Sequence, residues 1–353
     1  MTNNNTILVT GGAGYIGSHT VVALAEAGFR PVIIDDFSNS QQSVLAGLRQ
    51  ILGYEVPCVV HDCNDHAVLL DLFQRENVRG IIHFAAFKAV GESMAEPLRY
   101  YRNNLDSLIT LMEVMLETGV TDLIFSSSCT VYGEPDSLPV METMPVKPAA
   151  SVYGNTKQVG EEILRDVAAA GKPVKIISLR YFNPIGAHPS ALIGELPLGV
   201  PSNLAPFITQ TAAGIREQLT VFGDDYPTRD GSCIRDYIHV MDLAEAHVAA
   251  LRALGQPGPG SYYEVFNIGT GQGNSVLELI RTFESVSGRP LNYRIGPRRA
   301  GDVTAVYADA TKAREHLGWA AKRSLREALE DAWRWQQKLN IEQLQRRLDG
   351  RDH

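Results

Sequence analysis

The sequence has few cysteines and no pattern that would link them. Cys58, Cys63, Cys129 and Cys233 form no CxxC pair and no spacing typical of a zinc site. Disulfide frameworks stabilise mainly small secreted domains, whereas this chain has 353 residues and room for a large core. We therefore expect reduced thiols, no disulfide framework and no bound metal.

Long apolar runs and dense basic segments are also lacking. No segment approaches the roughly 20 apolar residues of a membrane-spanning helix, and the first residues, MTNNNTILVT, do not have the basic and apolar regions of a signal peptide. The net charge is −8, without a basic stripe, which argues against nucleic acid as the main partner. We expect a cytoplasmic protein with neither a membrane nor a nucleic-acid partner.

A glycine-rich turn follows the first apolar segment. TILVT, residues 6–10, is rich in β-branched residues and predicts a buried strand. Gly11, Gly14 and Gly17 lie between this strand and the helix-like run VVALAEAG. Glycines permit a tight turn and close approach of a pyrophosphate at a helix N-terminus. The spacing is GxxGxxG instead of the commoner GxGxxG, and taken alone it leaves an ordinary strand-to-helix turn as an equal alternative.

An acid at the end of the next apolar segment favours a nucleotide. PVIID, residues 31–35, ends in Asp35, which lies about 20 residues after the glycines, the spacing of a carboxylate that binds a ribose. Residues 36–40 contain no Arg or Lys to pair with a 2′-phosphate. The pattern therefore predicts NAD as the cofactor, in preference to NADP.

Strands and helices then alternate along the chain, which is typical of an α/β fold with a doubly wound parallel sheet, that is, a Rossmann-like fold. Further strands are predicted at residues 56–62, 80–86, 122–128 and 174–183. Ligands of such sheets bind at the carboxyl ends of the strands.

The pattern becomes irregular after Asn183, where proline and glycine cluster in a long loop, and long loops in compact domains are often functional. We predict a NAD-binding domain over residues 1–182. Residues 183–353 should form mainly a smaller, interleaved α/β substrate-binding domain, with segments around 235–255 returning to the first.

Tyr153 and Lys157 open a helix-like stretch just after a strand that ends in three serines. Residues four apart lie on one face of a helix. A nearby ammonium lowers the pKa of a phenol from its usual value near 10, so Tyr153 could act as an acid and base near neutral pH. Ser128 could bind the same substrate hydroxyl, with Ser126 and Ser127 as weaker candidates. The alternative is an exposed helix that carries a solvated lysine.

Longer motifs resemble a known family. TGGAGYIG, Ser128 with YGNTK, RYFNPIGAHP and RDYIHVMDLA together resemble the extended short-chain dehydrogenase/reductase family. HFAAFKAVGES, FGDDYPTRDGSCIRDYIHVMDLA and GTGQGNSVLE are similar to its UDP-hexose 4-epimerases, and the resemblance runs from about Ile7 to Trp335. It implies an isomerase of galactose metabolism that interconverts UDP-galactose and UDP-glucose through a transient 4-keto sugar with tightly bound NAD. It also implies a homodimer formed by helices around 103–117 and 151–170.

The resemblance implies roles for individual residues. Tyr153 removes and returns the proton of the sugar 4-hydroxyl with help from Ser128, while Lys157 lowers the pKa of Tyr153 and contacts the nicotinamide ribose. The implied NAD-binding residues are Gly11, Gly14, Tyr15, Ile16, Gly17, Asp35, Asp36, Phe37, Ser38, Asn39, Ser40, Asp62, Cys63, Phe84, Ala85, Ala86, Lys88, Asn103, Tyr153, Lys157 and Phe182. The implied substrate-binding residues are Ser128, Asn183, Asn203, Leu204, Thr220, Val221, Phe222, Arg235, Arg299, Asp302 and Val306.

Two of these assignments leave alternatives open. A pyrophosphate favours bidentate arginines; Arg235, Arg298 and Arg299 are candidates, although adjacent arginines more often form a solvated turn. The resemblance places Val306 where a tyrosine often narrows the sugar pocket, which implies activity on UDP-GlcNAc and UDP-GalNAc as well. An alignment shifted by one residue would put Tyr307 there instead.

Other activities on this fold are the rival interpretations. A nucleotide-sugar dehydratase needs an Asp–Glu acid and base pair directly after the strand-end hydroxyl, where this chain has Cys129 and Thr130. A decarboxylase or a non-catalytic NAD-sensing protein are further alternatives, but a sensor would have no need of Tyr153, Lys157 and Ser128 together.

Overall fold

A parallel sheet of seven strands carries the first half of the chain in this computed structural model, which describes residues 5–256, 260–299 and 301–348. The strands of the described chain are β1 Thr6–Thr10, β2 Arg30–Asp35, β3 Cys58–Val60, β4 Gly80–His83, β5 Asp122–Ser128, β6 Lys175–Tyr181, β7 Asn183–Ile185, β8 Leu219–Phe222, β9 Ile234–His239, β10 Tyr262–Ile268, β11 Gly273–Ser275, β12 Tyr293–Gly296 and β13 Ala305–Val306.

Helices connect these strands, and none in the described ranges is long and apolar enough to cross a membrane. They are α1 Tyr15–Glu26, α2 Ser43–Leu52, α3 His66–Glu76, α4 Val90–Ala95, α5 Pro97–Tyr101, α6 Ser107–Thr118, α7 Val152–Ala169, α8 Leu204–Ala212, α9 Val240–Leu254, α10 Val276–Ser287, α11 Thr311–Leu317 and α12 Leu325–Leu348. Local sequence explains several of their ends. Asp65 caps α3 by accepting hydrogen bonds from Ala67 and Val68, and α6 ends at Gly119, whose φ is +73°.

The large sheet has the strand order β3-β2-β1-β4-β5-β6-β10, and every neighbouring pair is parallel. The predicted Rossmann-like α/β fold is confirmed. The direction of winding reverses between β1 and β4, which opens a crevice at the carboxyl ends of these strands. Alternate side chains enter two cores: Val9 packs with α1, α2 and α9 on one face, whereas Leu8 packs with α3, α6 and α7 on the other.

The second half of the chain builds a smaller unit and also completes the large sheet. In the smaller unit, β9 pairs with β7, β11 and β13, and β12 pairs with β8. The segment predicted to return, 235–255, contains β9 and α9, which pack differently. Strand β9 stays in the smaller unit because its edges pair there, whereas α9 packs on α1 and β10 pairs with β6. The returning chain therefore begins at α9 and extends to Ile268.

Candidate active site

The turn between β1 and α1 is built of glycines, and any larger residue at Gly11 or Gly17 would collide with neighbouring backbone. Gly11 has a φ of +67°, and a Cβ added there would lie 2.9 Å from the backbone nitrogen of Ala85. A Cβ on Gly17 would overlap the carbonyl oxygen of Gly11. Because no side chain fills the turn, a phosphate can approach the N-terminus of α1 closely. This cradle fits the pyrophosphate of a dinucleotide.

Asp35, at the end of β2, fixes this cradle. Its carboxylate accepts hydrogen bonds from the backbone nitrogens of Ala13 at 3.0 Å and Phe37 at 2.9 Å, and from the Ser40 hydroxyl at 2.8 Å. Its side chain therefore joins the glycine turn to the loop after β2, where an NAD ribose is expected. Within that loop, Asp36 accepts a hydrogen bond from the backbone nitrogen of Ser38 at 2.9 Å.

The other predicted NAD-binding residues follow the same edge of the sheet. Tyr15, Ile16 and Gly17 form the first turn of α1, and Asp35 is followed by Asp36, Phe37, Ser38, Asn39 and Ser40; Asp62 and Cys63 follow β3; Phe84, Ala85, Ala86 and Lys88 follow β4; Asn103 lies in a π-helical turn before α6; Phe182 follows β6. Burial, then nearby Asp62 and Asp36, raise the pKa of the Cys63 thiol to about 12. The Cys63 thiol is therefore uncharged at neutral pH.

Ser128, Tyr153 and Lys157 come together at the carboxyl end of β5. Ser128 is the last residue of β5, and Tyr153 lies in the first turn of α7. Ser151 caps α7 by accepting a hydrogen bond from the Gly154 nitrogen at 3.1 Å. Lys157, one turn further on, points into the sheet: its side chain donates a hydrogen bond to the Ser126 carbonyl at 2.7 Å.

Burial controls the charge of this pair. It raises the pKa of Tyr153 to about 12, against a hydrogen bond from Ser128, and lowers the pKa of Lys157 to about 7, against the attraction of Glu161. From the sequence we predict that Lys157 lowers the pKa of Tyr153. In this structure the net shift of the Tyr153 pKa is upward. The physical reason is that the Lys157 Nζ lies 6.0 Å from the centre of the Tyr153 ring, and loss of solvation outweighs its attraction.

The three serines at the end of β5 have different surroundings. Ser126 pairs with the Tyr181 hydroxyl inside the sheet, and Ser127 donates a hydrogen bond to the Glu161 carboxylate. The Ser128 oxygen accepts hydrogen bonds from the nitrogen and hydroxyl of Thr130 at 3.2 and 3.0 Å. This leaves Ser128 as the serine that faces Tyr153.

The predicted phosphate-binding arginines converge on Asp302. Arg299 donates to the Asp302 carboxylate at 2.8 and 3.1 Å, and a nitrogen of Arg235 lies 3.7 Å from it. Arg298 turns away and donates to Asp225 at 2.7 Å. Arg235 and Arg299 therefore lie together at Asp302, whereas Arg298 does not belong to this cluster.

The remaining residues predicted to bind substrate lie on several elements of the second half of the chain. Asn183 begins β7, Asn203 precedes α8, Leu204 begins it, and Thr220, Val221 and Phe222 lie in β8. Val221 is 1% exposed and packs in the core of the smaller unit, so its side chain offers no surface to a ligand. Val306 is buried in a cluster with Phe182 and, at its edge, Cys129. Tyr307 points elsewhere, since a Cβ on Gly273 would lie 2.8 Å from its ring.

Known proteins share this sequence and fold. Residues 8–332 match the family model described as GDP-mannose 4,6 dehydratase. UDP-glucose 4-epimerase from Yersinia pestis is 50% identical over 94% of this chain and 97% of its own. The chain belongs to the UDP-glucose 4-epimerase family.

Solved structures from this epimerase family agree. The crystal structure of UDP-glucose-4-epimerase from Stenotrophomonas maltophila, with bound NAD and formylated UDP-arabinopyranose, has a TM-score of 0.92 and 48% identity over 95% of this chain and 99% of its own. The enzyme from Bifidobacterium longum, in complex with NAD+ and UDP, has a TM-score of 0.90 and 45% identity over 94% and 98% of the two chains.

The sequence analysis missed a buried ion pair formed by Glu161, which lies on the same helix as Tyr153. Arg180 donates to both oxygens of the Glu161 carboxylate, at 2.9 and 2.5 Å, and both side chains are 6% exposed. Glu161 is four residues after Lys157, so the helical spacing that identified Tyr153 could also have identified it. Arg180 comes from a distant strand and had no local signal. Among the described residues no group of acids, histidines and cysteines is suited to a metal ion.

The buried Lys157 predicts a pH-dependent stability of the nucleotide-free protein. Its pKa is about 7 when folded and about 10.4 when unfolded, so between these values the unfolded chain binds one proton more. Stability should therefore rise with pH from about 7 to about 10. Lys157→Met removes this titrating group. The free energy of unfolding of the variant should therefore exceed that of the parent most below pH 7, and by progressively less above it.

Urea unfolding at pH 6 and pH 9 measures this difference. Lys322→Met is the matched control, because the Lys322 side chain is 74% exposed and its ammonium stays in water in both states. The gain from Lys157→Met should shrink between pH 6 and pH 9, while the control difference stays constant. An equal gain at both values would contradict a buried, weakly basic Lys157.

Proposed function

We propose that this chain is a UDP-glucose 4-epimerase, an isomerase that interconverts UDP-galactose and UDP-glucose through a transient 4-keto sugar with tightly bound NAD. The observation that carries the proposal is the position of Tyr153, Ser128 and Lys157. They lie at one sheet edge between a dinucleotide cradle and an arginine pair suited to the pyrophosphate of the substrate.

Tyr153 and Ser128 transfer the proton of the sugar 4-hydroxyl. The Ser128 oxygen already accepts two hydrogen bonds from Thr130, so its own proton is free to be donated to Tyr153 or to the sugar. Tyr153 takes the proton in the oxidation step and returns it in the reduction step. Bound NAD supplies the hydride acceptor and a positive charge that favours the phenolate. Lys157 adds a second positive charge from the interior side.

The binding roles follow the two edges of the cleft. The glycine turn, Asp35 with the loop after it, and the segments after β3 and β4 hold NAD. Arg235 and Arg299 hold the pyrophosphate of the UDP-sugar, with Asp302 near the uridine ribose. In this assignment residues 1–182 bind NAD and residues 183–353 mainly bind UDP-sugar.

A dehydratase is the rival activity, because the matching family model is described as GDP-mannose 4,6 dehydratase. Elimination of water needs an acid and a base beyond the tyrosine. Burial raises the pKa of the Cys129 thiol to about 12, and the Thr130 hydroxyl donates to Ser128. Neither is an acid or base at neutral pH, so we favour epimerisation.

The proposed reaction is tested by adding UDP-galactose to purified protein without added NAD and following the anomeric protons by NMR. UDP-glucose should appear, which would establish epimerisation and a retained cofactor. Tyr153→Phe keeps the ring and should reduce the rate by about 10²–10⁴-fold, because it removes the group that transfers the proton. NAD released on denaturation should match the parent, and equal activity of the variant would refute the role of Tyr153.

We also propose a wide sugar pocket that admits UDP-GlcNAc and UDP-GalNAc. Val306 pairs with Arg235 in neighbouring strands, so it lies beside the proposed phosphate site and its side chain is small. Val306→Tyr should lower the rate on UDP-GalNAc at least about tenfold relative to UDP-galactose, since the larger ring takes the space of the acetyl group. Coupled assays with both substrates measure the ratio.

The neighbouring variant Tyr307→Phe is the control, and it should leave the ratio unchanged because Tyr307 packs against Gly273. Absence of any UDP-GalNAc turnover in the parent would contradict the wide pocket.

We infer a cytoplasmic homodimer that serves galactose metabolism. Helix α6, one of the helices expected at the interface, exposes Ile109 and Leu116, and the preceding helix α5 exposes Leu98, which is 82% exposed. Exposed apolar patches often mark protein interfaces. Sedimentation should give twice the 38.6 kDa chain mass, and Leu98→Glu should shift it toward one chain. A parent that sediments as a monomer at micromolar concentration would rule out the dimer.

A further inference from the structure

Glu195 lies in the long loop between β7 and α8, and its backbone is fixed from outside the cleft. The Trp335 indole donates a hydrogen bond to the Glu195 carbonyl at 3.0 Å. Gly194 allows this contact, because a Cβ there would lie 2.5 Å from the indole ring. The Glu195 side chain points inward and is 12% exposed. A carboxylate is thus held at a defined place under the cleft.

One oxygen of this carboxylate contacts both sides of the cleft. The side-chain nitrogen of Asn203 donates to Glu195 Oε1 at 2.5 Å, and the Lys88 ammonium lies 3.7 Å from the same oxygen. Lys88 follows β4 on the cofactor side, whereas Asn203 precedes α8 on the substrate side. Burial raises the pKa of Glu195, and Lys88 and Asn203 oppose that rise. Both contacts therefore stabilise the charged form.

Asn203 departs from the usual behaviour of its position. Asparagine before a helix usually caps it by accepting a hydrogen bond from a backbone N–H. Here the side chain makes no capping hydrogen bond with α8 and is turned toward Glu195 instead. Local rules are most often broken where a functional requirement overrides them. The contact with Glu195 is such a requirement.

A further contact joins the loop that carries Glu195 to the cofactor side. The Tyr15 hydroxyl, at the start of α1, donates to the Gly186 carbonyl at 2.8 Å. Burial and the charge of Glu195 raise the pKa of Tyr15 well above its usual value, so this phenol stays a donor. The first turn of α1 and the loop that carries Glu195 therefore pack as one unit.

We propose that Glu195 is a positioning residue that couples the two ligand sites, because its Oε1 oxygen holds Lys88 and Asn203 at once. The inference rests on the proposed function, which assigns Lys88 to NAD and Asn203 to the UDP-sugar. A ligand that contacts Lys88 or Asn203 changes what this one oxygen holds on the other side, so each ligand alters the binding free energy of the other. Such coupling is reciprocal for the two binding free energies.

The test measures the release rate of bound NAD with and without saturating UDP: the protein is diluted, and the released NAD is separated by ultrafiltration and assayed enzymatically over time. UDP should slow release from the parent, and the ratio of the two rates is the coupling factor. Glu195→Gln keeps the size and an acceptor for Asn203 but removes the charge that holds Lys88. The factor should fall at least about fivefold toward one. Glu245→Gln, which loses a carboxylate paired with Lys322 and Arg323, should leave the factor unchanged.

A second variant keeps the test sharp if Glu195→Gln is poorly folded. Lys88→Met removes the other end of the pair, whose side chain is 40% exposed, and should lower the same factor. The double variant should lose no more coupling than either single variant, since both break one interaction. Additive losses, or a factor that survives Glu195→Gln, would overturn the proposal.

The outcome also separates this inference from the proposed function. If the parent epimerises UDP-galactose but UDP does not change NAD release, Glu195 does not couple the sites and the epimerase assignment stands. If the parent neither epimerises UDP-galactose nor binds UDP, both fail.

Discussion

The Lys157 ammonium is buried at the carboxyl edge of the sheet, 4% exposed, and the site is arranged around it. Its close partners are the Ser126 carbonyl at 2.7 Å and the face of the Phe125 ring at 4.9 Å. The carboxylate in its neighbourhood, Glu161, is already bonded to Arg180 and Ser127. Burial without a carboxylate of its own lowers the pKa of Lys157 to about 7, and a negative charge that forms nearby favours its ammonium form. A phenolate at Tyr153 is such a charge.

The surrounding structure compensates for the cost of burying Lys157. The Glu161–Arg180 pair is bidentate and buried, and the guanidinium lies over the Tyr132 ring at 4.8 Å, although Arg180 Nη1 has no hydrogen-bond partner among the described residues. The pair supports the two elements that carry the site, since Glu161 is on α7 and Arg180 on β6. The apolar cores on the two faces of the sheet stabilise the fold. Burying the polar residues at its edge costs part of that stability. This division is common at sites that must be held in place before a ligand binds.

Local sequence predicted the parts of the site that local geometry determines. The glycine turn, Asp35 and the Tyr153–Lys157 pair each lie within one strand–turn–helix unit, and parallel strands bring their carboxyl ends to one edge. What it missed depends on distant contacts. Strand β10 completes the sheet beside β6 after a long excursion of the chain, and Arg180 and Glu195 have partners that no spacing indicates. Spacing identifies Lys157 as a neighbour of Tyr153, but it does not show the loss of solvation that raises the pKa of the phenol.

In the proposed reaction, C4 of the sugar is inverted by removal and return of the same hydrogen as a hydride, within one protein and its retained cofactor. UDP-galactose deuterated at C4 tests this directly, with the product analysed by NMR and mass spectrometry in ordinary water. UDP-glucose should keep the deuterium at C4, because a hydride held on the cofactor does not exchange with solvent. Loss of the label to water would mean that C4 is inverted through proton abstraction and would refute hydride transfer.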